Sequence, residues 1–303
     1  IQEVAHLPEA PKRTGASTAS PASDVAGLQT EFAKLALKEA EILGATEATL
    51  SLAAATGTEL PQAAAQVGSA LRAFGLEADE AGRVADVFAA ATSKSALDMS
   101  KLEPGLATVA PVAAKFGFSI EDTTALLGKL SDAGFDASSA ATATRNIILN
   151  LADKNGKLAK SLGGPVSSLD DMVSGMVKLN DKGADLATML NLTDKRSVAA
   201  FATFVSGADD VGKLSGALQG AEGFADKMAK TQLDTLGGSI TIMQSAYEGF
   251  VLSLEDGSGA YSAQIRQIVD VATEMFNLGS GTAAATDKMT AGEKTVRKYA
   301  ERG

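Results

Sequence analysis

The sequence predicts an all-α fold, in which a domain of helical-hairpin repeats is followed by amphipathic, coiled-coil-like helices. Apolar residues recur at helical spacing from about Leu28 onward, and no stretch alternates β-branched with polar residues as a strand would. Alanine dominates many stretches, tryptophan is absent, and aromatic residues make up 5% of the chain. Because alanine favours helix but buries little area, we expect slim helices that pack closely rather than a large aromatic core.

Residues 1–30 are predicted to form a flexible linker. Residues 8–27 hold three prolines and two glycines among alanine, serine and threonine, a composition typical of extended or disordered segments. The single histidine, His6, lies in this segment without a neighbouring partner. A catalytic base needs an orienting group and a metal site needs further ligands, so a solvated side chain is the favoured interpretation.

Residues 31–166 are predicted to form the main helical domain, because glycines mark helix ends there at a regular rhythm. A helix ends, a glycine follows, an apolar residue usually comes next, and a short polar stretch opens the next helix. Glycine suits the left-handed position just after a helix, and Ser119 or residues 136–138 can cap the following helix. The glycines of this pattern are Gly44, Gly75, Gly117 and Gly134.

Part of this domain looks duplicated. At an offset of 42 residues, Gly75 aligns with Gly117 and apolar residues align with apolar residues. This pattern predicts two copies of a helical hairpin that stack because neither copy buries its apolar face alone. The aligned apolar pairs are Leu60 with Leu102, Val67 with Val109, Val84 with Leu126, and Phe88 with Leu130.

The remaining chain divides into three predicted segments. Residues 167–220 form a connector of short helices broken by glycine and aspartate, and residues 279–303 form a small-residue linker and a polar C-terminal helix. Between them, residues 221–278 carry a heptad seam, which either joins several copies or packs on its own domain. Its members are Leu233, Leu236, Ile240, Met243, Tyr247, Phe250 and Leu254.

Charge and composition exclude several functions. The net charge is −10 and the isoelectric point is near 4.8, so strong general affinity for nucleic acid is not expected. The absence of cysteine excludes disulfides, thiolate catalysis and cysteine-based metal sites. The sequence contains no run of 18 apolar residues, so no ordinary transmembrane helix is predicted.

Two loop motifs suggest chemistry, but each is better interpreted as a structural feature. The stretch 207–213 resembles a phosphate-binding loop, yet Leu214 stands where the magnesium-binding Ser or Thr belongs. An interhelical turn capped by Asp209 or Asp210 is favoured. The stretch 153–156 begins like a calcium loop, but Gly164 occupies the place of the closing glutamate, so an Asn-Gly turn is expected.

Paired carboxylates could serve glycoside hydrolysis, which needs two carboxylates across a cleft, one of them with a raised pKa. Adjacent acids on helices more often face water or cap a helix end. We therefore predict no catalytic, cofactor-binding or metal-binding residues and no cofactor. The pairs are Asp170 with Asp171, Glu39 with Glu41, and Glu255 with Asp256.

The ordered series of motifs in the hairpin region resembles the core domain of the phage tail tape measure protein family. The series comprises the run 69–88, the Ala-Pro segment 109–113, the glycine and acidic helix start at 117–122, and the segments 130–134 and 141–145. The resemblance covers residues 41–163 well and residues 182–256 loosely, including the stretch 245–250.

The resemblance implies a non-enzymatic structural protein of the virion. Such proteins lie in the tail lumen or tip, set tail length during assembly in the host cytoplasm, and are released for DNA ejection. Implied partners are further copies of the chain, often three, the tail tube and tip or distal tail proteins, and tail assembly chaperones. Transient contact with the DNA end or the host membrane is also implied. The alternatives are a tail-associated helical adaptor and a lytic, peptidoglycan-degrading tail protein.

Overall fold

A computed structural model describes residues 22–34 and 37–234 of the chain. In these ranges it contains thirteen α-helices, one short 3-10 helix and no strand, which confirms the all-α prediction. None of the helices described is long and apolar enough to cross a membrane. The helices are α1 (Ala22–Lys34), α2 (Glu39–Thr56), α3 (Leu60–Phe74), the 3-10 helix (Ala78–Glu80), α4 (Ala81–Lys94), α5 (Met99–Phe116), α6 (Ile120–Asp132), α7 (Ala137–Ala152), α8 (Lys157–Ser161), α9 (Leu169–Asp181), α10 (Leu186–Leu192), α11 (Val198–Ser206), α12 (Ala208–Gln219) and α13 (Phe224–Leu233).

The first helix that the structure describes begins within the predicted linker. Residues 1–30 are expected to be a linker, but α1 begins at Ala22, directly after the last proline of the segment. Val25, Leu28 and Phe32 are spaced three and four residues apart, and all three are fully buried. Burial of this apolar stripe stabilises the helix. This effect outweighs the destabilising effect of the polar, glycine-containing composition of the segment.

Gly44 does not end a helix, so this part of the predicted rhythm is wrong. It lies exposed in the interior of α2, which continues to Thr56 and ends at Gly57 with φ of 68°. The N–H groups of Gly57 and Thr58 both donate to the carbonyl of Ala53, at 2.8 and 3.2 Å. One exposed helical glycine costs about 1 kcal/mol relative to alanine, which the surrounding alanine-rich helix outweighs.

The other three glycines end helices as predicted. Gly75 and Gly117 have φ of 66° and 101°, a left-handed conformation in which side chains with a Cβ are strained. The following apolar residue then turns back onto the helix: the Phe118 N–H donates to the carbonyl of Ala113 at 3.0 Å. Gly134, after α6, also has a positive φ.

The predicted caps open two of the helices in this domain. Ser119 Oγ accepts a hydrogen bond from the Asp122 N–H, and the Asp122 carboxylate accepts one from the Ser119 N–H, both at 3.1 Å. Asp136 accepts from the N–H of Ser139 at 3.0 Å. Both arrangements satisfy N–H groups that the first turn of a helix leaves unpaired.

The duplicated hairpin is visible in both structure and burial. Helix α3 corresponds to α5, and the 3-10 helix with α4 corresponds to α6, at the predicted offset of 42 residues. Every residue of the four aligned apolar pairs is at most 6% exposed. The two copies contact each other through α3 with α5 and α4 with α6, so each covers the apolar face of the other.

Residues 27–232 form one compact unit with α6 near its centre. Helix α6 contacts α4, α5, α7, α11 and α12. The helices of the predicted connector, residues 167–220, are 7 to 13 residues long. They pack on one another, and α11 and α12 also pack on α6. The heptad seam beyond Asp234 and the C-terminal segment 279–303 lie outside the described residues.

Candidate functional site

A bidentate ion pair joins the two hairpins where α4 faces α6. Arg83 Nε and Nη2 donate to the two carboxylate oxygens of Glu121 at 2.6 and 2.9 Å, and Arg83 Nη1 donates to Glu80 at 2.6 Å. Glu121 is 3% exposed, whereas the Arg83 side chain is 44% exposed. The planar guanidinium fork matches the carboxylate, so the pair fixes the relative position of the two helices.

Both members of this pair are charged. Burial raises the pKa of Glu121, but the hydrogen bonds and positive charge of Arg83 outweigh burial and hold the pKa below its ordinary value. The hydrogen bond to Glu121 raises the pKa of Arg83 further above its ordinary range. A buried carboxylate without such a partner destabilises the fold, because it loses its hydration without gaining hydrogen bonds or an opposite charge.

One turn further along α4, Asp86 holds the start of α13. Its two carboxylate oxygens accept hydrogen bonds from the N–H groups of Gly223 and Ala225, both at 2.8 Å. These donors lie at the N-terminus of α13, where N–H groups have no partner within the helix. Lys94 adds a second contact between the same helices, since its ammonium lies 5.6 Å from the centre of the Phe224 ring.

Two further polar contacts tie α6 to α12. Ser215 Oγ donates to Asp122 Oδ1 at 2.7 Å, and Lys129 Nζ lies 2.7 Å from Asp210 Oδ2. Together with Arg83, Glu121 and Asp86, these side chains form a polar cluster that connects α4, α6, α12 and α13. Each member bonds to a partner on another helix, so the arrangement positions helices rather than presenting a free acid or base to a substrate.

The loop that resembles a phosphate-binding motif is the junction of two helices. Gly207 joins α11 to α12, and a helix rather than a strand precedes it. The interhelical turn is confirmed, but capping by Asp209 or Asp210 is not: the structure shows no side-chain cap on α12. The Asp210 carboxylate reaches Lys129 on α6 instead, because the close approach of these helices brings the ammonium within its range.

The calcium-like stretch forms the expected turn. The Asn155 N–H donates to the Asp153 carboxylate at 3.0 Å, and the Gly156 N–H donates to the Asp153 carbonyl at 2.8 Å. Within the part of the chain that the structure describes, no group of three or more His, Cys, Asp or Glu residues could hold a metal ion.

The paired carboxylates that the structure describes lie in first turns of helices. Asp171 on α9 accepts hydrogen bonds from the N–H and hydroxyl of Ser167, which hold the pKa of Asp171 below its ordinary value. Glu41 on α2 accepts from the N–H of Lys38 at 2.7 Å. Both arrangements are helix capping, as the sequence predicts. Glu255, Asp256 and His6 lie outside the described residues.

The polar cluster was not predicted from the sequence. Acidic residues at a helix start, such as Glu121 and Asp122, predict only a favourable interaction with the positive end of α6, and no sequence pattern distinguishes Arg83 or Asp86. In the structure, Glu121 shares a buried face of α6 with Thr124 and Gly128. An acid on such a face requires a partner, although the sequence does not identify which basic residue supplies it.

Comparison with known proteins gives consistent matches. A model of the family described as "Phage-related minor tail protein" matches residues 9–200. The chain is similar to a tape measure protein of Pneumococcus phage Dp-1, with 31% identity over 255 residues, or 80% of the chain. It is also similar to a probable tape measure protein of Escherichia phage P2, with 29% identity over 289 residues, or 90% of the chain. The chain spans 22% and 35% of the lengths of these two relatives. No solved structure matches.

Proposed function

Because the chain belongs to the phage-related minor tail protein family, we propose that it is a structural segment of a tail tape measure protein. The observation that carries the proposal is the identity of about 30% to two tape measure proteins across 80% and 90% of the chain. Under this proposal the chain has no catalytic role. It is a virion component that sets tail length during assembly in the host cytoplasm and leaves the tail when DNA is ejected.

The physical properties of the chain suit such a role. A helix rises about 1.5 Å per residue, so a long helical protein converts the number of its residues into a length. An alanine-rich helix is slim, and few aromatic anchors make lateral contacts easier to release. The net charge of −10 limits adhesion to DNA that passes through the same tube.

Within this role, the segments have different tasks. Residues 31–166 and the short helices of residues 167–220, which belong to the same compact unit, act together as an end fitting, and residues 221–278 supply the heptad-bearing helices. The apolar seam from Leu233 to Leu254 bundles copies of the chain inside a narrow tube. The homo-oligomer is a trimer, and its other partners are tail tube proteins, tail tip or distal tail proteins and, before assembly, tail chaperones.

A comparison of intact and emptied virions tests the proposal. The amount of this chain relative to the tail tube protein is measured by quantitative mass spectrometry before and after triggered DNA ejection. We expect the chain in intact tails and strong depletion after ejection, while the tube protein stays constant. Absence from intact virions, or equal amounts before and after ejection, would contradict the proposal.

A further inference from the structure

The turn between α7 and α8 contains the one Asn-Gly pair of the sequence. Asn155 is exposed and precedes Gly156, whereas the other five asparagines precede leucine, isoleucine or aspartate. A backbone nitrogen can attack the side-chain amide of the asparagine before it, and glycine hinders this attack least because it has no Cβ. The chain therefore carries a single reactive pair of this kind, and the pair lies where water reaches it.

The side chain of Asn155 is available for this reaction. Its amide makes no hydrogen bond within the part of the chain that the structure describes, so rotation of the side chain breaks no contact. Lys154 and Lys157, both exposed, flank the pair. Their positive charges favour loss of the proton from the Gly156 amide, and the deprotonated nitrogen is the form that attacks.

The turn restrains the same reaction. The Gly156 N–H donates to the Asp153 carbonyl at 2.8 Å, and the Asn155 N–H donates to the Asp153 carboxylate at 3.0 Å. The first bond engages the proton that the attacking nitrogen must lose, and the two bonds together fix the backbone of the turn. A Cβ at Gly156 would lie 2.9 Å from the Asp153 carbonyl oxygen, so the turn requires the same glycine that permits the attack.

From these contacts we propose that Asn155 deamidates spontaneously and that the turn held by Asp153 slows the reaction in the folded chain. The Gly156 nitrogen loses its proton to hydroxide and forms a bond to Asn155 Cγ. The bond from Cγ to Nδ2 breaks, and ammonia leaves with a proton taken from water. The resulting succinimide adds one water molecule. Cleavage between the Gly156 nitrogen and Cγ gives aspartate, and cleavage between that nitrogen and the backbone carbonyl carbon of residue 155 gives isoaspartate.

The products alter the start of α8. Both add a negative charge beside Asp153, and isoaspartate also inserts a methylene group into the main chain, which displaces the Gly156 N–H from the Asp153 carbonyl. Leu158 and Ala159 of this short helix are buried, so we expect the change to loosen the packing of α8. This inference concerns the turn alone and does not depend on the proposed tape measure function.

Peptide mapping by mass spectrometry tests the site. The purified full chain is incubated at neutral pH, and aspartate and isoaspartate are quantified at each asparagine over time. We expect Asn155 to convert at least about tenfold faster than the exposed Asn150 and Asn191, each of which precedes leucine. The rate should rise with pH, because hydroxide removes the amide proton. An intact Asn155, or conversion no faster than at Asn150 and Asn191, would overturn the assignment.

Hydrogen exchange of the incubated chain tests the consequence. Amides of α8 should lose protection as Asn155 converts, whereas an Asn155→Gln chain incubated alongside should keep it, because the longer side chain forms the corresponding ring far more slowly. Unchanged exchange of α8 in the converted chain would overturn the loosening of this helix.

Asp153→Ala tests the restraint by the turn. The variant removes the acceptor of the Asn155 N–H, and Asn155 should convert about three- to tenfold faster, as expected for the loss of one hydrogen bond. Asp194→Ala removes a similar contact to the Arg196 N–H in another loop and should leave the rate unchanged. In urea, which unfolds the turn, the native chain and Asp153→Ala should convert Asn155 at equal rates. Equal rates in the folded chains, or a difference that persists in urea, would overturn the role of the turn.

Discussion

The Arg83 guanidinium and the Glu121 carboxylate join α4 to α6 through hydrogen bonds of 2.6 and 2.9 Å, between residues 38 positions apart in the sequence. Glu121 is buried, while Arg83 lies near the surface. The two hairpins of the repeat are therefore held together by apolar burial and by one charged pair. In that pair, the buried Glu121 carboxylate depends on the partly exposed Arg83 for its hydrogen bonds and neutralising charge.

Loss of Arg83 should be costly. Arg83→Met leaves the buried Glu121 carboxylate without its cation, and we expect the free energy of unfolding to fall by about 2–3 kcal/mol. This lies below the range for fully buried pairs because Arg83 is partly screened by solvent. Urea denaturation of the purified chain measures the change.

Matched variants show whether the charge is responsible. Arg72→Met, at an exposed position of α3, should change stability by less than about 0.5 kcal/mol. Arg83→Met combined with Glu121→Leu should recover most of the loss, because no buried charge remains unpaired. Equal effects of Arg83→Met and Arg72→Met would show that the pair contributes nothing.

The same pair predicts a loss of stability in acid. The pKa of Glu121 in the folded chain lies below its ordinary value near 4.5, so its stabilising contribution is complete above that pH. As pH falls through the lower, folded-state pKa, Glu121 becomes protonated in both states and the contribution disappears. The difference in unfolding free energy between the native chain and Glu121→Gln should therefore shrink from pH 6 towards pH 3. A difference independent of pH would contradict this linkage.

The carboxylate of Asp86 should control the first turn of α13. Asp86→Ala removes both hydrogen-bond acceptors, and we expect a loss of about 1–2 kcal/mol, as for other helix caps. Hydrogen exchange gives a local readout, since the amides of Gly223 and Ala225 should lose protection. Asp181→Ala, an exposed aspartate at the end of α9, serves as the control and should leave both amides unchanged. Unaltered exchange in Asp86→Ala would rule out the cap.

Two glycines within helices should respond to alanine in opposite directions. A Cβ at Gly175 would lie 2.6 Å from the backbone oxygen of Leu162, so Gly175→Ala forces α9 away and should cost about 1–3 kcal/mol. A Cβ at Gly44 meets nothing within 4 Å, so Gly44→Ala should stabilise the chain by about 0.5–1 kcal/mol. Thermal unfolding distinguishes the two, and a stabilised Gly175→Ala chain would show that the helices do not approach so closely.

Local sequence signals predicted much of the fold. The helix ends at Gly75 and Gly117, the caps at Ser119 and Asp136 and the duplicated hairpin depend on contacts within a few residues, or on a pattern that repeats. The same rule failed at Gly44, because one glycine weakens a helix but does not end it when the surrounding residues favour helix. It also failed for α1, where burial of an apolar stripe prevailed over local composition.

The polar cluster could not be predicted in the same way. Asp86 meets its partners 137 and 139 residues along the chain, and Asp122 meets Ser215 across 93 residues. Which residues pair across such sequence separations depends on how the helices pack, and no local pattern encodes that packing. The cluster therefore became recognisable only in three dimensions, whereas the family resemblance followed from ordered motifs along the chain.

Tail length after an in-frame deletion tests the proposed ruler most directly. A long helical block of the parent gene is removed outside residues 27–232, so that the compact unit stays intact, and tails are measured by electron microscopy. The proposal predicts tails shorter by about 1.5 Å for each deleted residue, in proportion to the size of the deletion. Tails of unchanged length would contradict it and would assign the measurement of tail length to another protein.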